Sequence, residues 1–139
     1  MKRIEFSHGK DIASRTVSDF APESFLSVLS KEEQATEVKT HFPGGEDRLF
    51  LIEVKEVPNA QATLHAHEKD EIFFVLDGEM HFGNRRCSAG DSIHIMAGTL
   101  YTFRTGPSGC RYLKFTGSAD NSFITKDKYQ DKYPSGVQE

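Results

Sequence analysis

Apolar and polar residues alternate with a period of two over much of the chain, and that period predicts strands. The alternation starts in Glu37-Val38-Lys39-Thr40-His41-Phe42 and breaks at Pro43-Gly44-Gly45. Leu49 to Val57 is rich in β-formers and stops at Pro58-Asn59. A further run leads from Ala62 into His65. Ile72-Phe73-Phe74-Val75-Leu76 is apolar throughout, which predicts a strand covered on both faces. Asp77-Gly78 reads as a hairpin turn returning into Glu79-Met80-His81-Phe82. Gly83-Asn84-Arg85-Arg86 and Ala89-Gly90-Asp91 are polar turns, Ser92 to Ile95 is a short strand, and Ala97-Gly98 is a loop. Tyr101 to Arg104 and Arg111 to Thr116 read as the last two strands, split by Gly106-Pro107-Ser108-Gly109. About eight short strands with turn signals between them predict an all-β sandwich or closed barrel, jelly rolls included. Helical spacing appears only towards the ends. Phe25, Val28 and Leu29 share one face of a short helix over Pro22 to Leu29. Lys126 to Tyr133 reads as a helical turn laid over the barrel or a loose tail, ended by Pro134.

Length and charge narrow this picture. The 139 residues suffice for one domain. It divides into an N-terminal arm over 1–34, a barrel over 35–117 and a C-terminal extension over 118–139. Lys and Arg total 17 against 21 for Asp and Glu, so no basic surplus points to nucleic acid. No apolar run is long enough to span a bilayer. Met1-Lys2-Arg3-Ile4-Glu5 lacks the apolar core of a signal peptide. Cys87 and Cys110 suit a reduced, cytoplasmic protein, with a single disulfide left open. Each lies beside an arginine, which can lower a thiol pKa, but no Cys–His spacing argues for a nucleophile.

The candidate chemistry lies in His65-Ala66-His67-Glu68-Lys69-Asp70-Glu71. Two imidazoles separated by one residue on an extended chain point the same way. A short loop brings the Glu71 carboxylate back to them. Two imidazoles and one carboxylate form a ligand set for a divalent ion, whether Fe, Mn, Ni, Zn or Cu, with coordination positions left open. His81 and His94 sit between apolar neighbours and are expected to face outward, His41 to stand nearer a cavity mouth, and His8 carries no signal.

The spacing from His65 and His67 through Glu71 to Gly78 resembles the first motif of the cupin superfamily, with Asn59 at the family's usual upstream glycine. Gly90-Asp91-Ser92-Ile93-His94-Ile95-Met96-Ala97-Gly98 resembles the second motif. There the usual proline is Met96, the usual metal-binding histidine is Tyr101, and the usual asparagine is Thr105. The resemblance implies a small single-domain cupin: a double-stranded β-helix, or jelly-roll, barrel with a short N-terminal helix. It also implies one divalent metal ion per chain on His65, His67 and Glu71. Three readings stay open for the altered position. The three ligands act alone with water, or Tyr101 binds as a phenolate, or the site is metal-free or weak and Tyr101 is a hydrogen-bonding wall residue.

By the same likeness Glu71, Phe73 and Val75 face the barrel interior, Tyr101 and Phe103 line it from a facing strand, and Leu113 and Phe115 line it from the last. Glu37, Lys39, Glu53, Lys55, Tyr112 and Lys114 are expected mostly on solvated faces, with one or two as substrate anchors. The functional expectation leans to a mononuclear metalloenzyme of dioxygenase, lyase or isomerase type acting on a small organic molecule, with Tyr101 and Glu71 in catalysis. The alternative is a non-catalytic small-molecule binding or sensing cupin with a degenerate metal site. Single cupin domains usually pair, so a homodimer is expected under either.

Overall fold

The strand Glu71–Phe82 (β5) organises the barrel in the computed structural model, which describes residues 3–120 and 122–134. Alternation along β5 buries Glu71, Phe73 and Val75, while Ile72 and Phe74 remain 43% and 42% exposed. The run expected to be covered on both faces is therefore covered on one within a single chain. One edge of β5 pairs with the long strand Arg104–Thr116 (β8). Its other edge is shared by Ser92–Ile95 (β7) and Arg85–Ser88 (β6). Beyond β8 the sheet continues through Arg48–Glu56 (β3), Glu37–Gly45 (β2) and Arg15–Thr16 (β1), all antiparallel.

The opposite wall is tied by fewer, reciprocal bonds. Thr105 N–H donates to the Ala60 carbonyl and Ala62 N–H to that of Phe103, both at 2.8 Å. His65 and Tyr101 exchange backbone bonds at 3.1 and 2.9 Å. His65–Ala66 (β4) pairs in turn with Ile124–Thr125 (β9). Between the walls Val54, Phe73, Val75, Met80, Phe103 and Tyr112 form the core. This is the mostly antiparallel jelly-roll architecture that the family resemblance implies.

Two turn expectations are corrected. Asp77-Gly78 does not reverse the chain but lies inside β5, where the pairing with β8 shifts register on either side. Gly78 has φ +78°, and a Cβ there would lie 2.2 Å from the Gly109 carbonyl oxygen, so the close approach demands glycine. Likewise Gly106 to Gly109 does not separate two strands, because β8 runs through it as a bulged segment. The hairpin reversal occurs instead at Gly83-Asn84, where Phe82 pairs with Arg85.

Three single-turn helices fill the N-terminal arm: Val17–Phe20 (α1), Glu23–Leu26 (α2) and Lys31–Gln34 (α3). α2 lies within the expected helix, with Pro22 as its N-cap. Ser30 and Glu33 form a capping box on α3. Glu33 also accepts the Thr63 backbone N–H and hydroxyl, each at 2.7 Å, pinning the arm to the barrel. Lys126–Lys132 (α4) packs through buried Tyr129, whose hydroxyl donates to the Gly98 carbonyl at 2.6 Å. Cys87 and Cys110 are free and buried. Among the described residues no helix is long and apolar enough to cross a membrane.

Candidate functional site

A cavity of about 170 Å³ occupies the barrel interior. Aromatic rings form most of its wall: Phe73 from β5, Tyr112 from β8, Tyr101 and Phe103 from the segment before it, and Phe25 and Phe123 from the two terminal regions. Val75 is fully buried in the core beneath and does not line the cavity. Leu113 and Phe115, expected on the wall, lie on the opposite face of β8. The register explains this: Phe73 pairs with Lys114 and Val75 with Tyr112, so the inward residues of β5 bring Lys114 and Tyr112 inward. Leu113 and Phe115 pair with exposed Phe74 and Ile72.

His65 opens β4 and His67 directly follows that strand, and both line the cavity. His65 Nδ1 donates to the Thr63 carbonyl and His67 Nδ1 to the Ser122 carbonyl, each at 2.5 Å. A carbonyl oxygen only accepts, so each Nδ1 holds the proton and each Nε2 keeps its lone pair. Phe123 stacks on His65 with centroids 4.3 Å apart. Burial keeps both rings neutral: it pushes His65 down to about 4 and lowers His67, and the nearby Lys114 charge acts in the same direction.

Glu71 is 1% exposed. Its Oε1 accepts the Tyr101 hydroxyl at 2.9 Å, and its Oε2 lies 3.0 Å from the Lys114 ammonium. That ion pair is the partner of Oε2, which accepts no hydrogen bond of good geometry. His67 Nε2 stands 3.8 Å from Oε1. Burial, and then the Glu71 charge, hold the Tyr101 hydroxyl well above its ordinary pKa, so Tyr101 acts as a protonated donor here.

Whether these residues fit a metal divides the site. The imidazoles fit, since second partners orient both rings and leave the Nε2 lone pairs available. The carboxylate does not, because Tyr101 and Lys114 engage its two oxygens. Among the described residues no group of three or more His, Cys, Asp or Glu is arranged to hold a metal ion. Sequence reasoning thus names residues that the fold does bring together. What it misses is the lysine between them, whose place in an alternating strand reads as a solvated face.

A second polar pair also borders the cavity. Tyr112 donates its hydroxyl to Glu56 Oε2 at 2.5 Å, and Glu56 is 7% exposed. Burial pushes the Glu56 carboxyl up to about 7, against the opposing hydrogen bond. No motif singles Glu56 out, since it closes a strand in the same alternating pattern. Elsewhere, His94 pairs with Asp70 at 2.9 Å and His81 with Glu79 at 3.2 Å, while His41 meets Ser7 at 2.5 Å, all away from the cavity. Burial raises both thiols, Cys110 to about 12, so neither is an activated nucleophile. Thr105, at the altered asparagine position, accepts the Ala60 N–H at 2.8 Å and donates to the Val57 carbonyl at 2.7 Å. Asn59 adopts φ +56°, a left-handed conformation that asparagine tolerates better than most residues.

The fold is a jelly-roll barrel of the cupin type. The Cupin domain family model matches residues 52–113, and the chain carries a cupin domain. The polyketide cyclase RemF of Streptomyces resistomycificus is 23% identical and matches with TM-score 0.61 over 95% of this chain and 92% of its own. An RmlC-like cupin of Ralstonia eutropha is 14% identical, with TM-score 0.67 over 95% of this chain and 85% of its own. A putative acetylacetone dioxygenase of Methylibium petroleiphilum is 10% identical, with TM-score 0.66 over 97% of each chain. At these identities the likeness carries the fold and not the reaction. No curated protein matches the chain by sequence.

Proposed function

We propose that this cupin binds a small, flat carbonyl compound in its aromatic cavity and moves a proton on it without a metal. One observation carries this reading: buried Glu56 and the Lys114 ammonium border one aromatic cavity, while the Glu71 carboxylate is already paired. A carboxyl group held near 7 is present in both forms at neutral pH, as a general acid–base needs. In this reading Glu56 takes a proton from the carbon beside the carbonyl. Lys114 donates a hydrogen bond to the carbonyl oxygen as negative charge builds there, and the proton returns at another atom. The reaction is a redox-neutral isomerisation, and Tyr101 and Glu71 hold Lys114 in place. The names of the solved neighbours, a polyketide cyclase and a putative acetylacetone dioxygenase, support a carbonyl compound as ligand.

The test uses chelator-treated protein and 2-tetralone in heavy water. NMR is expected to show saturable, protein-dependent deuterium incorporation beside the carbonyl, lost in Glu56→Gln. Exchange at the buffer rate, or exchange that appears only on adding a divalent metal, overturns the reading.

The orientation of the imidazoles favours a second reading, a divalent metal on His65 and His67 completed by Glu71. It requires Lys114 to leave the carboxylate. Metal retained at one ion per chain after native purification without a His tag, and lost in His67→Ala, would establish it. Under both readings the chain is proposed to form a homodimer through the outer face of β5 and β8. Support comes from exposed Ile72 and Phe74 beside Leu113 and Phe115. Phe74→Asp is expected to convert dimer to monomer in sedimentation, and a wild-type monomer refutes the pairing.

A further inference from the structure

The two oddities of this site meet at one carboxylate. The position where the cupin pattern places a histidine is Tyr101, and Glu71, which accepts its hydroxyl, is also paired with Lys114. We propose that the Lys114 ammonium stands in for a divalent metal ion, and that removing it opens a metal site on His65, His67 and Glu71. This rests on the metal-independent reading above.

The placement of the lysine is specific. Lys114 pairs in register with Phe73, so its stem starts on the cavity wall. From there it reaches a carboxylate that is 1% exposed, at 3.0 Å. A buried carboxylate requires a compensating positive charge, and here the chain supplies it. An ammonium and a divalent ion sharing one carboxylate repel each other strongly in a medium of low dielectric constant. The lysine therefore excludes the ion by charge as well as by volume. Part of the ligand arrangement is in place: both imidazoles keep Nδ1 on a backbone carbonyl, and His67 Nε2 stands 3.8 Å from Glu71 Oε1, which also accepts the Tyr101 hydroxyl. Two neutral imidazoles and a carboxylate whose Oε2 is freed are a donor set that a divalent first-row ion accepts. The lost histidine and the inward lysine thus become one linked change, in which a fixed side-chain cation replaces a dissociable one.

The experiment compares metal-stripped wild-type protein with Lys114→Met, Lys114→Gln and the double variant Lys114→Met/His67→Ala. Zn(II) affinity is read by calorimetry, Co(II) ligation by its visible absorption, and folding by circular dichroism. The Lys114 variants are expected to bind one Zn(II) per chain at least about a hundredfold more tightly than wild type. They are also expected to develop a Co(II) spectrum with imidazole ligation, and the double variant to lose both gains. A Lys114 variant that unfolds without metal is expected to refold with Zn(II). Folded Lys114 variants that bind Zn(II) no better than a weakly binding wild type overturn the inference and leave the metal-independent reading standing, as does failure of Zn(II) to refold an unfolded one. Tight, stoichiometric Zn(II) binding by the wild type overturns that reading and the inference with it.

Discussion

Two tyrosine–glutamate pairs lie in the barrel interior, and only one of them holds a direct ion pair with a lysine. Tyr101 donates to Glu71 at 2.9 Å, and Tyr112 donates to Glu56 at 2.5 Å. Both carboxyl groups are buried, at 1% and 7% exposure. Glu71 has the Lys114 ammonium at 3.0 Å, whereas the hydroxyl of Tyr112 is the side-chain hydrogen bond given to Glu56. Burial accordingly pushes Glu56 up to about 7. Glu56 has a tyrosine hydroxyl as its donor, whereas at Glu71 the same hydroxyl contact is joined by an ion pair. One pair is suited to exchanging a proton, the other to holding a cation still.

The largest expected effect comes from breaking the ion pair. Lys114→Met strands the Glu71 carboxylate in the interior and is expected to cost about 3–5 kcal/mol in urea unfolding without metal. A loss well below that range would mean that solvent already compensates Glu71.

Next comes Glu56, where the sign follows from linkage. Its folded pKa, about 7, lies above the ordinary 4.5, so between these values the native state holds more protons than the unfolded chain. Its contribution to stability is therefore greatest below pH 4.5, falls as pH rises to about 7, and is level above. Glu56→Gln removes this term. The variant is expected to gain up to about 3 kcal/mol on wild type at pH 8 relative to the difference at pH 4. A difference that does not vary with pH would place Glu56 in a better solvated setting. Charged Glu33 and Lys114 also act on this carboxyl, in opposite directions, so the comparison is made between variants at matched pH.

The smallest effects separate the two tyrosines. Tyr112→Phe deprives Glu56 of its hydroxyl and is expected to cost about 1–3 kcal/mol above pH 7, while raising the Glu56 midpoint in carboxyl-carbon NMR. Tyr101→Phe leaves Glu71 its ammonium and is expected to cost less, about 0.5–1.5 kcal/mol. Equal costs would remove the distinction between the pairs.

Most of the barrel was legible because burial imposes a period of two on each strand, and that period survives in the residues themselves. The segment from His65 to Glu71 was legible for a similar reason: one local stretch supplies three of the polar groups. The turns were harder to place. Asp77-Gly78 has the composition of a hairpin, yet the backbone of Gly109 lies against it and makes it a bulge. β8 misled in a different way. Tyr112 and Lys114 alternate with Leu113 and Phe115, and the usual rule sends the apolar pair inward. In this strand the polar pair faces the cavity, because the interior holds carboxyl groups that need partners. An alternating pattern specifies two faces without specifying which one is inside.

The sequence by itself determined the all-β class and the grouping of His65, His67 and Glu71, consequences of local periodicity and spacing, while the jelly-roll barrel followed from the family resemblance. The tertiary structure alone determined what fills the site. Lys114 and Glu71 stand far apart in sequence, and the β5–β8 pairing register carries the ammonium to the carboxylate. A register shift of one residue would have turned Lys114 away and left Glu71 without its cation.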